Sequence, residues 1–401
     1  MKIVMICEFF DEALDYQENA LAQAYHRQGH EVVVVASTAG SVFDYTVDMS
    51  GATVDHGETR TAFARIIRLP WRVNLLHKIK VFPPLGPLLE RERPDLIYVH
   101  DIIPNILNAL GYMQRNPRAR MIMDFHSDLS NSGANLASRL ILHGVIRKTI
   151  LDRARPFLSR IFPVVPASAE FLKAYYRLPE EEMELLPLGV DLHATIAAQA
   201  RDGRIRIRTA LGIPKDAWVV FSGGKLGRLK RTEELFYALR RLNDPRVHTI
   251  VVGKVGGLAA DEAYGEVLEE AARGLSNVHL VGWQDRDSVY DHMAASDMAV
   301  FPASQSVMWQ QSLGMGLPLV VSETSPAIRG RQDVSYMNGF GAVTVMDGMS
   351  DVAIQIAESV AALRDSPALA ENRRRAALET AETILSYDAI ARQTLRFNPT
   401  A

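Results

Sequence analysis

The chain has 401 residues, of which 48% are hydrophobic and 23% charged, with a net charge of −3. That length exceeds what one hydrophobic core ordinarily supports, so two domains of roughly 200 residues are expected, and the composition excludes an extended disordered protein. A single cysteine, Cys7, excludes an intramolecular disulfide and a zinc ribbon, and no apolar run reaches the roughly 18–20 residues of a membrane span.

In chain order, Lys2–Ile6 reads as a buried strand, with Cys7 as a buried thiol at its end. The apolar stretch then runs straight into Glu8, Asp11 and Glu12, unlike a signal peptide, so a cytoplasmic protein is expected. Residues 16–28 have a helical pattern closed by Gly29, and residues 31–36, 95–99 and Arg120–Phe125 read as further strands. The same alternation restarts later. Strands are expected at 218–222, 248–252, 278–281, Met298–Phe301 and 317–321, with helices at 232–242, 263–273 and 287–294. Residues 192–215 are polar and punctuated and read as a linker; residues 350–386, rich in Ala, Glu, Arg and Leu, read as helical. The expected domains are 1–191, then 216–370 beyond the linker, with a helical tail at 371–401 that packs back on the first domain. Alternating strands and helices predict an α/β fold with mostly parallel sheets, in which ligands bind outside the strand C-termini.

The most informative segment is Val219-Val220-Phe221-Ser222-Gly223-Gly224-Lys225-Leu226-Gly227-Arg228-Leu229-Lys230-Arg231. A buried strand feeds a glycine-rich turn, cations follow, and a helix begins near Thr232, which with Glu233 and Glu234 reads as an N-cap region. Gly223 and Gly224 allow close backbone approach, and Lys225 and Lys230, supported by Arg228 or Arg231, carry the charge to neutralise a diphosphate. The Walker A order is absent. A solvated basic loop is the plainer alternative.

This segment resembles the GT-B glycosyltransferases, specifically glycosyltransferase family 4, in which a basic residue after the strand and a lysine five residues later hold the donor diphosphate. The match falls on Lys225 and Lys230. The resemblance extends through Tyr16-Gln17-Glu18 to Gly29-His30-Glu31-Val32, through Leu186-Pro187-Leu188-Gly189-Val190-Asp191, and through Asn277 to Trp283 followed by Ala295-Ser296-Asp297. It implies two facing Rossmann-like domains around a cleft, a nucleoside-diphosphate sugar as donor, retention at the anomeric carbon and no metal or other cofactor. Trp283 lies in the stretch that receives the nucleotide base. The resemblance also implies that His126, after the strand Arg120–Phe125, is a catalytic residue contacting the donor sugar.

One part of the pattern is missing. Family members carry a Glu-x7-Glu pair before a G-x-P-V-V segment, and counting back from Gly316-Leu317-Pro318 puts Gln311 where the ribose-binding glutamate belongs. The first glutamate falls at Ala303, Ser304 or Gln305, none of them a carboxylate. Gln311 keeps an acceptor for a ribose hydroxyl but not the charge.

On the acceptor side the candidates are Glu8, Tyr16, Asp101, Asp124 and Asp128, all near strand ends; Asp124 and Asp128 flank His126 and either orient its ring or bind acceptor hydroxyls. No set has convincing metal-ligand spacing. From Arg60 to Arg160 there are 17 Lys/Arg against 7 Asp/Glu. Residues 60–93 and 139–160 interleave cations with large apolar residues, as a basic amphipathic helix on an anionic membrane does; nucleic acid is not expected. The leading reading is transfer of a sugar to the hydroxyl of a carbohydrate or lipid-linked acceptor, in cell-surface polysaccharide or glycolipid synthesis. A silent sugar-nucleotide-binding protein and a sugar-nucleotide epimerase or hydrolase are the alternatives.

Overall fold

A computed structural model describes residues 1–12, 16–39, 54–75, 77–129, 132, 138–255, 259–303, 305–326 and 331–396. The chain divides into two compact units, Met1–Pro187 with Tyr387–Ala401, and Leu188–Ser386.

In the first unit a seven-stranded sheet has the order β3-β4-β2-β1-β7-β8-β9. Its strands are β1 (Lys2–Ile6), β2 (Glu31–Ser37), β3 (Gly57–Arg60), β4 (Arg65–Leu69), β7 (Leu96–His100), β8 (Arg120–Phe125) and β9 (Arg160–Pro163). All neighbours run parallel except β3, which is antiparallel to β4. Alternation along the strands splits the core between two faces: Val4, Ile6, Val33, Val35, Ile97 and Val99 pack in one cluster, Ile3, Met5, Val34, Leu96 and Tyr98 in another. The strand sequence runs outward in opposite directions from β1 and β7, which makes the C-terminal ends of those two strands the switch point of the sheet.

Helix α1 (Gln17–Arg27) starts at Tyr16 and ends where Gly29 takes φ +81°, a left-handed turn that suits glycine. The helix Tyr387–Leu395 packs against α1: the Tyr25 and Thr394 hydroxyls lie 2.6 Å apart, Arg27 pairs with Asp388, and Ile390 and Ala391 are fully buried. The segment that joins this unit thus begins at Tyr387 rather than at 371.

Residues 60–93 do not form an amphipathic helix. They hold β3, β4, a hairpin of β5 (Val73–Leu75) and β6 (Ile79–Val81), and a short helix Gly86–Glu92. Three of their cations turn inward to carboxylates: Arg65 to Glu58 and Glu92, the buried Arg68 to Glu12, and the buried Lys80 to Glu8. Glu8, Glu12 and Glu58 thus offset part of the positive excess seen in sequence, while Arg60, Arg72, Lys78 and Arg93 stay exposed.

The second unit has a six-stranded, all-parallel sheet of order β12-β11-β10-β13-β14-β15. Its strands are β10 (Trp218–Gly223), β11 (Val247–Val252), β12 (Val278–Gly282), β13 (Met298–Phe301), β14 (Leu319–Ser322) and β15 (Val343–Met346). Its switch point lies at β10 and β13. Residues 192–215 are not a linker but two helices of this unit, Leu192–Ala200 and Gly203–Ala210. Their arginines are structural: Arg201 and Arg206 pair with the buried Asp291, and Arg208 donates to the Ala295 and Ala217 carbonyls and to Asp297. Polarity here reflects ion pairing onto the helix Arg286–Ala294. Helices Val352–Asp365 and Pro367–Thr380 complete the unit.

Ile390→Ala should lower stability to urea by about 2–5 kcal/mol, as a fully buried large-to-small change does, whereas the partly exposed Ile354→Ala should cost much less.

Candidate active site

The turn after β10 is laid directly on the turn after β11. The Gly224 amide donates to the Val252 carbonyl at 2.9 Å and the Leu226 amide to the Lys254 carbonyl at 3.0 Å. Gly253 has φ +134°, and a Cβ there would stand 1.9 Å from the Gly224 oxygen; a Cβ on Gly223 would stand 2.5 Å from the Val252 oxygen. Glycine is therefore required for the turn itself. Close by are Met308, 3.2 Å from where a Gly223 Cβ would lie, and Ser306, 3.5 Å from the equivalent point on Gly224.

Lys225 is exposed on this turn. Lys230 is half-buried and donates to the Gln305 carbonyl at 2.5 Å, and burial pulls its pKa down to about 8. Arg231 is turned away, donating to the Gly348 carbonyl and to Glu234, while Arg228 is exposed. Thr232 precedes the helix Glu233–Leu242 without a side-chain capping bond; its amide is taken by the Tyr264 hydroxyl. Gln311, on the helix Met308–Gly314, is buried and its side-chain amide makes no hydrogen bond among the described residues; its neighbour Gln310 pairs with the Tyr336 hydroxyl at 3.2 Å. Ala303 is buried, Gln305 is half-buried, and Ser304 lies outside the described residues. Trp283, just past β12, is 63% exposed, with the Lys254 ammonium 6.0 Å from its ring centre. The second unit thus gathers Gly223, Gly224, Lys225, Lys230 and the 305–311 segment near one switch point.

In the first unit Asp124 is the hub. Fully buried at the end of β8, its carboxylate accepts from the Tyr98 hydroxyl (2.5 Å), the Asp101 amide (2.9 Å), His100 Nδ1 (3.0 Å) and His126 Nε2 (2.9 Å). The two imidazoles lie 4.6 Å apart, centre to centre. Burial alone would raise the Asp124 pKa, but the two histidines outweigh it and hold the carboxyl far below the usual range. Burial alone would lower His100, but Asp124, with Glu18 and Asp101, lifts it to about 10. His100, Asp124 and His126 are close enough together to consider as metal ligands. The carboxylate, however, already takes four donors, and the trio reads as a hydrogen-bonded unit.

Other candidates separate. Asp101 sits at φ +65°, accepts from the Ile102 amide and lies 3.8 Å from Arg147. Glu8 is committed to Lys80, whose ammonium also faces the Phe9 and Trp71 rings. Tyr16 occupies the N-cap position of α1, and Asp128 is buried beyond β8. Sequence reading missed the part of Tyr98 and Glu18, and of His100 as the partner of Asp124. The signal was present in the two polar strand ends, but the register that places His100 beside Asp124 is tertiary.

Residues 19–194 match the family model described as Glycosyltransferase Family 4, and residues 217–359 match the one described as Glycosyl transferases group 1. The chain belongs to the GT-B glycosyltransferases of family 4. A D-inositol 3-phosphate glycosyltransferase of Nocardiopsis dassonvillei is 26% identical to it over 322 residues, 71% of this chain and 74% of that protein. Among solved structures, Anabaena Alr3699/HepE in complex with UDP aligns with TM-score 0.66 at 16% identity, covering 98% of both chains. A glycosyltransferase from Rickettsia africae aligns with TM-score 0.66 at 12% identity, over 98% of this chain and 96% of that one. These likenesses establish the fold of the glycosyltransferase, and the family matches its class of activity.

The hub gives the enzyme a pH signature. The raised His100 pKa contributes stability that is complete below the ordinary histidine value of about 6.5 and lost as pH rises through about 10; the depressed Asp124 pKa contributes stability lost as pH falls below about 4. Thermal unfolding should therefore show the wild type losing stability from pH 6.5 to 10 relative to His100→Gln. Parallel curves for the two proteins would contradict the assignment.

Proposed function

We propose that the glycosyltransferase moves a sugar from a nucleoside-diphosphate sugar to an acceptor hydroxyl with retention of configuration. The observation that carries the donor reading is the glycine turn of β10 with Lys225 exposed on it and Lys230 half-buried after it. A buried ammonium whose charge is disfavoured by desolvation gains most when a diphosphate arrives. The known complexes of Anabaena Alr3699/HepE with UDP and with UDP-glucose make uridine diphosphate sugars the first donors to test.

In this reading the bond from the anomeric carbon to the β-phosphate oxygen breaks while the acceptor oxygen attacks the same face. The acceptor proton leaves with the diphosphate, whose charge the two lysines stabilise. That is the work a divalent cation performs in other transferases, so no metal is required. Gln311 accepts from a ribose hydroxyl through its amide oxygen, with Trp283 on the base side. His126, its Nε2 held by Asp124, is the catalytic histidine of the first unit.

Lys225→Ala and Lys230→Ala should each lower kcat/KM for the donor by about 10²–10³-fold, with turnover unchanged in EDTA and the product showing the donor's anomeric configuration by NMR. UDP affinity should fall as pH rises through about 8, where Lys230 loses its proton, and Lys230→Arg should remove that fall because guanidinium stays charged. Full turnover in both alanine variants sinks the mechanism.

A peripheral membrane role is supported by a different observation. The helical stretch Ser138–Arg147 exposes Leu140, Ile141 and Val145, each 59% accessible, beside Arg139 and Lys148. No helix among the described residues is long and apolar enough to cross a membrane. This face suits an anionic leaflet, where a lipid-linked acceptor for surface polysaccharide or glycolipid synthesis resides. The wild type should sediment with phosphatidylserine vesicles at low salt, and Ile141→Glu with Val145→Glu should abolish it; equal sedimentation of the two contradicts the reading.

A further inference from the structure

The first turn of α1 holds two buried polar side chains, of which Gln17 has no hydrogen-bond partner among the described residues and Glu18 has a long contact with His100. Gln17 is 4% exposed, and neither its amide oxygen nor its amide nitrogen has a partner. Glu18 is 6% exposed and makes no hydrogen bond among the described residues. It forms a long ion pair with His100, whose Nε2 stands 4.0 Å from Glu18 Oε2. Leaving a buried amide such as that of Gln17 unpaired is costly, and native structures rarely tolerate it without a reason. A helix N-terminus favours the carboxylate's charge but does not satisfy its lone pairs.

These groups stand at the switch point of the first sheet, where α1 starts and β7 ends. His100 Nδ1 is tied to Asp124, which leaves Nε2 as the atom turned toward Glu18. A donor N–H and an acceptor carboxylate 4.0 Å apart are too far to bond each other well, but a single oxygen seated between them reaches both. That oxygen has to accept from His100 and donate to Glu18, and a hydroxyl does both. The charges around it also select. Glu18, Asp124 and Asp101 all act on His100, and Arg147 stands 3.8 Å from Asp101. A phosphate or carboxylate placed here would meet the Glu18 carboxylate directly.

We propose that Gln17, Glu18 and His100 form the acceptor-reading site, and that it takes a neutral polyhydroxylated compound, with one hydroxyl bridging His100 Nε2 and Glu18 Oε2 and Gln17 meeting a neighbouring hydroxyl. This deepens the transfer reading above and rests on it for the role of that compound as acceptor. Gln17 and Glu18 recognise by mutual hydrogen bonding, and Asp124 is a positioning residue that fixes the His100 ring.

The test measures binding of myo-inositol and glucose, and of myo-inositol 3-phosphate and glucose 6-phosphate, to the full chain by saturation-transfer NMR and calorimetry. At least one neutral compound should bind in the millimolar range or better, and about tenfold or more tightly than its phosphorylated counterpart. Glu18→Gln and His100→Gln should each weaken it by about tenfold, the loss of one charge-assisted bond. Glu18→Gln should also narrow the gap between neutral and phosphorylated ligands. Gln17→Leu keeps the shape but removes the unpaired amide, so it should lose ligand binding while thermal stability holds or rises; a purely structural glutamine would lower it. Tighter binding of the phosphorylated compounds, no binding of either neutral one, or folded variants with wild-type affinity would each overturn the proposal. UDP binding, measured separately on the same protein, distinguishes this failure from failure of the donor reading, because the lysines and the Glu18 cluster belong to different units.

Discussion

Burying charge at the end of a parallel strand is the constraint on which both units turn. In the first, Asp124 has no exposed surface, and its carboxylate is tolerable only because four donors converge on it. Those donors fix the Tyr98 hydroxyl, the backbone at Asp101, and the rings of His100 and His126. In the second, Lys230 is half-buried after β10 and donates to the Gln305 carbonyl. In the first the carboxylate is met by four donors. The other keeps a cation whose charge burial opposes, which is the condition for answering an anion.

The turns around these groups follow from backbone sterics. A side chain on Gly253 would run into the Gly224 oxygen, and one on Gly223 into the Val252 oxygen, so neither strand end could carry one without moving the other. The two lysines are then presented by a loop whose course is set by backbone bonds to Val252 and Lys254. Precision at this site thus comes from the sheet, and the loop inherits it.

The charge distribution has a structural explanation as well. Arginines at 201, 206 and 208 sit on helices that dock through Asp291 and Asp297, and Arg65, Arg68 and Lys80 meet acids from elsewhere in the first unit. Cations close together in sequence are thereby consumed by packing. Among the apolar side chains that stay accessible, Leu140, Ile141 and Val145 lie together on one helical stretch.

The sequence by itself determined the alternation of strands and helices, because β-branched runs and glycine stops act locally; β1, β8 and β13 lie where the runs of residues place them. It also determined the family, since the Gly223–Lys230 spacing is a linear feature. It did not reveal that residues 192–210 are helical and docked, because ion pairs to Asp291 and Asp297, more than 80 residues away, make that polar stretch fold. Nor did it reveal the hub. Asp124, His100 and Glu18 are distant along the chain, and only the parallel register of β7 with β8, and the start of α1 beside β7, brings a buried carboxylate, an imidazole and a second carboxylate to one point. Local preference writes the elements; which charges meet is decided by how the strands align.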